Sequence, residues 1–193
     1  MISVVLLATA ALSLDECAEA YPHRLPASGR MYLHAFDQVF LAVARERSVE
    51  PALLKAIAFC ETRFDPCAVS AVGAKGVMQF MPKTFDWVAS FAGAHDPFDP
   101  VDSIRSAGLY VAALTNYWKG DLRAVIASYN AGPTAVARAR RRGLVIPAIA
   151  ETEGYVQCVL GARSAFSFPG TTQQPISRNT FFGRLWSVLE ATR

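Results

Sequence analysis

Glu61 is the residue in this chain best placed for acid–base chemistry. Leu54 and Ile57 lie seven and four residues before it, so the three share one face of a helix. A carboxylate on an apolar face loses water, and that raises its pKa. A carboxylic acid kept protonated near neutral pH can give its proton to a leaving group. The alternative is that Glu61 ends its helix and turns out to water, as most glutamates do. The one other acid nearby, Asp65, precedes Pro66 and reads as a turn residue whose side chain bonds neighbouring backbone N–H groups.

The elements that must position Glu61 follow from periodicity and punctuation. Pro51 fits the first turn of a helix that runs to Glu61, since its missing N–H costs nothing there. Before it, Leu33, Phe36, Val39, Phe40 and Val43 predict a helix over Met31–Arg47, joined through Ser48–Glu50. After it, the chain leaves through Asp65-Pro66 into a small-residue loop hinged at Gly73 and Gly76. A second helical turn then presents Met78 and Gln79. Helices are predicted over Pro82–Phe91, Val101–Trp118 and Leu122–Ala131, with a loop at Gly93–Pro100. Gly132 suits a left-handed C-terminal position and Pro133 restarts a helix. Arg138, Arg140, Arg141 and Arg142 are either cations at a helix C-terminus or a docking patch for a partner or lipid phosphate.

These blocks, in this order, carry a resemblance. Glu61-Thr62, Phe64-Asp65-Pro66, Ala68-Val69-Ser70, Gly73-Ala74-Lys75-Gly76-Val77-Met78-Gln79 and Met81-Pro82-Lys83-Thr84 resemble the leading motifs of the soluble lytic transglycosylase catalytic domain, a relative of goose-type lysozyme. Asp96-Pro97-Phe98-Asp99-Pro100, Ser128-Tyr129-Asn130-Ala131-Gly132, Ile146-Pro147 and Glu151-Thr152-x-x-Tyr155-Val156 continue it, so that it covers roughly residues 31–163. Thr62 stands where the family usually has Ser and keeps the hydroxyl. Ser103 stands where it usually has Asn, which weakens any brace that Asn provides.

The resemblance implies a mainly α, lysozyme-like (goose-type) single helical domain. It implies a peptidoglycan lytic transglycosylase that cuts between N-acetylmuramic acid and N-acetylglucosamine, with no metal or cofactor. Glycosidases ordinarily need two carboxylates, and the family instead uses one glutamate twice, here Glu61. Met78 and Gln79 would contact the sugars, Tyr129 and Asn130 would line the groove, and Tyr155 would orient Glu61. Ser70 is a candidate for an acetamido contact or a loop brace. The small size resembles specialised transglycosylases that open the wall for secretion systems, conjugation machines or pili. Three other readings stay open: a hydrolytic lysozyme-type muramidase, a non-catalytic glycan-binding assembly factor, and a structural partner protein.

Composition fits an exported globular domain. Hydrophobic residues make up 52% of the 193 and charged residues 18%, which excludes a disordered chain. Nothing after residue 20 is long and apolar enough to span a membrane. Residues 1–20 read as a signal peptide, with an apolar run Ile2–Leu14 and Ala18-Glu19-Ala20 as a small-x-small cleavage site, which makes the periplasm the expected location. Its n-region carries no Lys or Arg, its c-region is acidic, and Glu16 excludes a lipoprotein signal at Cys17. Cleavage there removes three acids and no base, so the formal charge rises from +3 to +6, which suits an anionic envelope polymer. Cys60, Cys67 and Cys158 then remain. One pair and one leftover thiol are expected, either Cys60–Cys67 or Cys60–Cys158, and no second ligand pair sits at zinc spacing. Residues 21–30 read as a lead-in loop. Residues 164–193 read as a Ser/Pro/Gly/Thr/Gln linker followed by a short amphipathic helix over Phe181–Thr192, able to pack on the domain, dock a partner or lie at a membrane interface. No phosphate-binding glycine loop or nucleic-acid motif is present, so nucleic acid is not an expected partner.

Overall fold

The computed structural model describes residues 33–168 and Cys17. The rest of the predicted signal peptide, the lead-in loop and the C-terminal helix lie outside the described residues. Among residues 33–168, seven helices follow one another: α1 (Asp37–Arg47), α2 (Pro51–Thr62), α3 (Pro82–Ala92), α4 (Pro100–Tyr117), α5 (Leu122–Ala131), α6 (Pro133–Arg141) and α7 (Ala150–Ala165). Among the described residues, the β-type pairing is limited to two isolated antiparallel bridges, Val69 with Lys75 and Lys75 with Phe80.

The starts of the helices are written in the sequence. Helices α2, α3, α4 and α6 each open on a proline, where no N–H is wanted. The carboxylates of Asp99 and Asp121 accept from the Asp102 and Ala124 N–H groups and cap α4 and α5. Helix α1 departs from its pattern, beginning at Asp37 rather than Met31, with turns over residues 33–36. Asp37 explains the late start. In the first turn its carboxylate faces the positive end of the helix dipole, and it also bonds His34 and Lys55.

Helix α4 is the buried axis, with Ile104, Leu109, Val111 and Leu114 fully enclosed, and α1, α2, α3 and α5 pack around it. Every residue of α2 from Pro51 to Ala58 is buried, and α7 covers its remaining flank. Arg163 near the end of α7 reaches Glu50 just before α2 at 2.6 Å.

Of the two pairings the sequence left open, Cys60–Cys158 is the one formed, but the expected leftover thiol, Cys67, is bonded as well. Cys60 bonds Cys158 and Cys67 bonds Cys17, so among the described residues no cysteine is free. Helix α2 ends at Thr62, one residue beyond the expected Glu61, and the chain leaves it through two consecutive left-handed residues, Arg63 (φ 55°) and Phe64 (φ 71°). That reversal carries Cys67 towards Phe98 and Cys17, while Cys60 stays on the flank of α2 that faces α7. Phe64 is 1% exposed, and its burial against Phe40 and Phe59 offsets the cost of the unfavourable backbone.

Candidate active site

Glu61 lies in the last turn of α2, one turn beyond Ile57 and two beyond Leu54, both fully buried. The residue as a whole is half-buried. Burial raises its pKa from 4.5 to about 7, opposed by the Tyr155 hydroxyl and reinforced by the negative charge of Glu151. Among the described residues no cation pairs with it.

Helix α7 supplies the facing wall. Tyr155 and Glu151 are four residues apart, so they lie one turn apart on the same side of the helix. The Tyr155 hydroxyl sits close enough to favour the ionised form of Glu61, yet it falls short of a hydrogen bond of normal geometry with any group. Burial and the neighbouring Glu61 charge hold the Tyr155 and Tyr129 hydroxyls well above their usual pKa, so both stay protonated donors. The Cys60–Cys158 disulfide pins this wall. Cys60 adjoins Glu61, and Cys158 lies three residues beyond Tyr155.

The floor is the 68–80 loop. Residues 76–79 form a turn closed by the Lys75–Phe80 bridge, not the helical turn expected from the sequence. Gly76 is required there: its φ is +73°, and a Cβ would stand 1.8 Å from the Pro97 carbonyl oxygen. The Val77–Met78 stretch is held from both sides. Thr62 donates to the Val77 carbonyl and the Tyr129 hydroxyl donates to the Met78 carbonyl, each at 3.0 Å.

Met78 needs correction. Its side chain is fully buried in the core, so it cannot touch a sugar, and it serves the site through its carbonyl. Gln79 is committed in part. Its Nε2 donates to the carbonyls of Ala68 and Gly76, at 3.1 and 3.0 Å, which leaves the Oε1 side for a ligand. Ser70 acts as a brace, its Oγ accepting from the Ala74 N–H at 3.0 Å. Asp65 accepts from the Cys67 N–H at 2.9 Å, the turn role read from the sequence.

Helix α5 brings Tyr129 and Asn130. The Tyr129 ring stacks against Phe80 and Tyr110, and the Asn130 Oδ1 accepts from the buried Thr152 hydroxyl of α7 at 2.9 Å. Gly132 leaves the helix at φ 80°, ψ 147°, a conformation open to glycine alone and different from the left-handed cap expected. Of the arginine cluster, Arg140 lies over Trp118 and pairs with Asp121, while Arg138, Arg141 and Arg142 face solvent. The structure thus gathers Glu61, Tyr129 and Tyr155, places Gln79 and Asn130 next in sequence to Met78 and Tyr129, buries Met78, and leaves Ser70 half-exposed as a brace of the loop. Sequence reasoning missed Glu151. Its signal was the spacing from Tyr155, which puts both on one helix face.

A helical domain with one buried acid at the end of its central-facing helix, opposed by a tyrosine-bearing helix, is the goose-lysozyme-like scaffold. The lytic transglycosylase Slt of Pseudomonas aeruginosa, solved as an inactive mutant, superposes with a TM-score of 0.62 at 22% identity over 91% of this chain and 31% of that one. A 70-kDa soluble lytic transglycosylase in complex with bulgecin A gives 0.63 at 23% identity over 85% and 27%. The description Transglycosylase SLT domain matches residues 38–143, and the chain belongs to that family. The membrane-bound lytic murein transglycosylase F 1 of Alkalilimnicola ehrlichii is 32% identical over 116 residues, 57% of this chain and 22% of that protein. The chain spans about a quarter of the length of the curated relatives it matches.

Proposed function

We propose that this chain is a peptidoglycan lytic transglycosylase, cleaving the bond between N-acetylmuramic acid and N-acetylglucosamine without water. The observation that carries the reading is Glu61: an enclosed carboxyl with a pKa raised to about 7, no cationic partner among the described residues, and two protonated tyrosines at its side. Such a group is half protonated near neutral pH, as a residue that must act first as acid and then as base requires. Glu61 donates its proton to the glycosidic oxygen as the bond to the muramoyl C1 breaks. The resulting carboxylate takes the proton of the muramoyl C6 hydroxyl, whose oxygen attacks C1 and closes a 1,6-anhydro ring. The proton lost in the first step returns in the second, and no water is consumed. The family membership and the relatives named as lytic murein transglycosylases support this reading.

Gln79 and Asn130 supply polar groups for the sugars, and Tyr155 orients the acid. A second reading draws on Glu151, a carboxylate near enough to push on Glu61, which could activate water in a hydrolytic muramidase. Product mass separates the two. Purified sacculi digested by the chain should release anhydromuramoyl products, and Glu61→Gln should release none. Products heavier by one water, with a reducing end, would establish hydrolysis instead. Sacculi bound but uncut would point to a glycan-binding assembly factor.

The chain works in the periplasm, exported by its N-terminal leader. The apolar run Ile2–Leu14 supports this, as do two disulfides, which persist in oxidising compartments. Its small size suits opening the wall for a secretion, conjugation or pilus apparatus. Cells lacking the gene should lose that assembly, and wild type but not Glu61→Gln should restore it.

A further inference from the structure

We infer that Cys17 stays in the mature enzyme, where its bond to Cys67 clamps the segment that follows Glu61, and that the leader is removed upstream of it. The inference rests on the export reading above and goes further, because the cleavage site most visible in the sequence, after Ala20, would discard Cys17.

Three observations argue against that cut. First, Cys17 is fully buried, and it forms a small apolar cluster with Cys67 and Phe98, which are 4% and 3% exposed. Removing residues 1–20 would strip one wall from this cluster. Second, Cys67 would be left as an odd thiol in an oxidising compartment, while Cys60 and Cys158 are already bonded to each other. Third, two small-x-small triplets precede Cys17: Ala8-Thr9-Ala10 and Ala11-Leu12-Ser13. A cut after Ser13 falls at the end of the apolar run, one residue before its last member, Leu14. It also assigns Asp15 and Glu16 to the mature chain, where acids are ordinary, instead of to a leader whose c-region they do not suit. Asp15, Glu16 and Glu19 are then retained, and the formal charge stays at +3.

The clamp is placed to matter. Cys67 lies six residues beyond Glu61, in the turn that Asp65 closes on the Cys67 N–H. Phe98 adjoins Pro97, whose carbonyl packs against Gly76, and the Lys75 ammonium lies 5.6 Å from the Phe98 ring centre. One bond therefore ties the N-terminal segment to the end of the Glu61 turn and to the loop that backs residues 75–76. It forms by thiol–disulfide exchange. An oxidant disulfide accepts two electrons and two protons from the Cys17 and Cys67 thiols and leaves as two thiols.

The test uses the full chain with its own leader, recovered from the periplasm of a Gram-negative host. The protein is alkylated under denaturing, non-reducing conditions and digested with trypsin. Cutting after Arg24, Arg63 and Arg142 puts each cysteine on a separate peptide. The expected result is an N-terminus upstream of Cys17, no alkylated cysteine and a Cys17–Cys67 linked peptide. A Cys17→Ser variant should then show one alkylated cysteine, Cys67, with Cys60–Cys158 intact. An N-terminus at Tyr21 with Cys67 alkylated overturns the inference, as does Cys17 linked to any other residue. Should the chain stay unprocessed in the cytoplasm, the export reading fails on its own. Oxidation of the purified chain by glutathione disulfide then decides the pairing: a Cys17–Cys67 peptide supports the clamp, and any other partner for Cys17 overturns it.

Discussion

Lys55 and Glu61 stand six residues apart on α2, and the helix treats them in opposite ways. Lys55 is 3% exposed, yet its ammonium is bonded to Asp37 at 2.5 Å and lies under the rings of Phe166 and Phe168 at 4.9 and 5.4 Å. Its charge is answered from three directions. Among the described residues Glu61 meets no cation; tyrosine hydroxyls and the like charge of Glu151 are what it faces. One buried charge is matched and so fastens the start of α2 to α1 and to the end of α7. The other is left unmatched, so its pKa rises to about 7, which suits it to the proton-donor role proposed above. Burial alone does not single out a candidate catalytic residue; burial with no answering charge does.

Breaking the unmatched charge should have the largest effect. Glu61→Gln should lower the rate of sacculus digestion by about a thousandfold or more, in line with the loss of a general acid, while circular dichroism and melting show the fold intact. Breaking the match should harm the other property. Asp37→Ala leaves Lys55 buried without its carboxylate and should cost about 3–5 kcal/mol of stability. The test is chemical denaturation, and digestion by the protein still folded should be nearly unchanged.

The pH dependence of stability sharpens the contrast. The folded pKa of Glu61, about 7, lies above its unfolded value near 4.5, so the fold favours the protonated form. Wild-type stability is therefore undiminished by this group below pH 4.5 and falls as pH rises through 7. Glu61→Gln escapes that fall. It should match wild type at pH 4 and exceed it at pH 8 by on the order of 3 kcal/mol, read from urea unfolding at the two pH values. The smallest effect belongs to Tyr155→Phe. Removing a hydroxyl that favours the carboxylate should move the alkaline limb of the pH–rate profile upwards by less than about one unit, and a limb that stays in place would remove Tyr155 from the positioning of Glu61.

Much of this contrast was legible in the sequence. The prolines at helix starts, the stripe Leu54–Ile57–Glu61 and the order of the blocks predicted the helices and the acid, because each is set by neighbours within one or two turns. What the sequence hid depends on contacts between distant segments. Met78 stands beside Gln79 in the same block, but which side chain of a turn points inward depends on Tyr129 and Thr62 reaching its carbonyls from elsewhere. The answer to Lys55 comes from Asp37 and from Phe166 and Phe168, beyond the end of α7. The cysteine pairs span 50 and 98 residues and could not be read from spacing. Glu151 stands ninety residues from Glu61 in sequence, so its approach depends on α7 packing against α2, while its shared face with Tyr155 is readable from their spacing.

The 68–80 loop carries a lesson about which parts of this site can vary. Its shape is held by main-chain groups, by the Ser70 and Gln79 side chains that bond them, and by the one position where no side chain fits, Gly76. Val69 and Val72 point outward and bear none of that load, with 45% and 75% of their surface open. A library randomised across the loop should therefore sort into two classes, fixed corners and replaceable faces. The outward faces of the loop can then change without disturbing the main-chain bonds that hold it beside Tyr129.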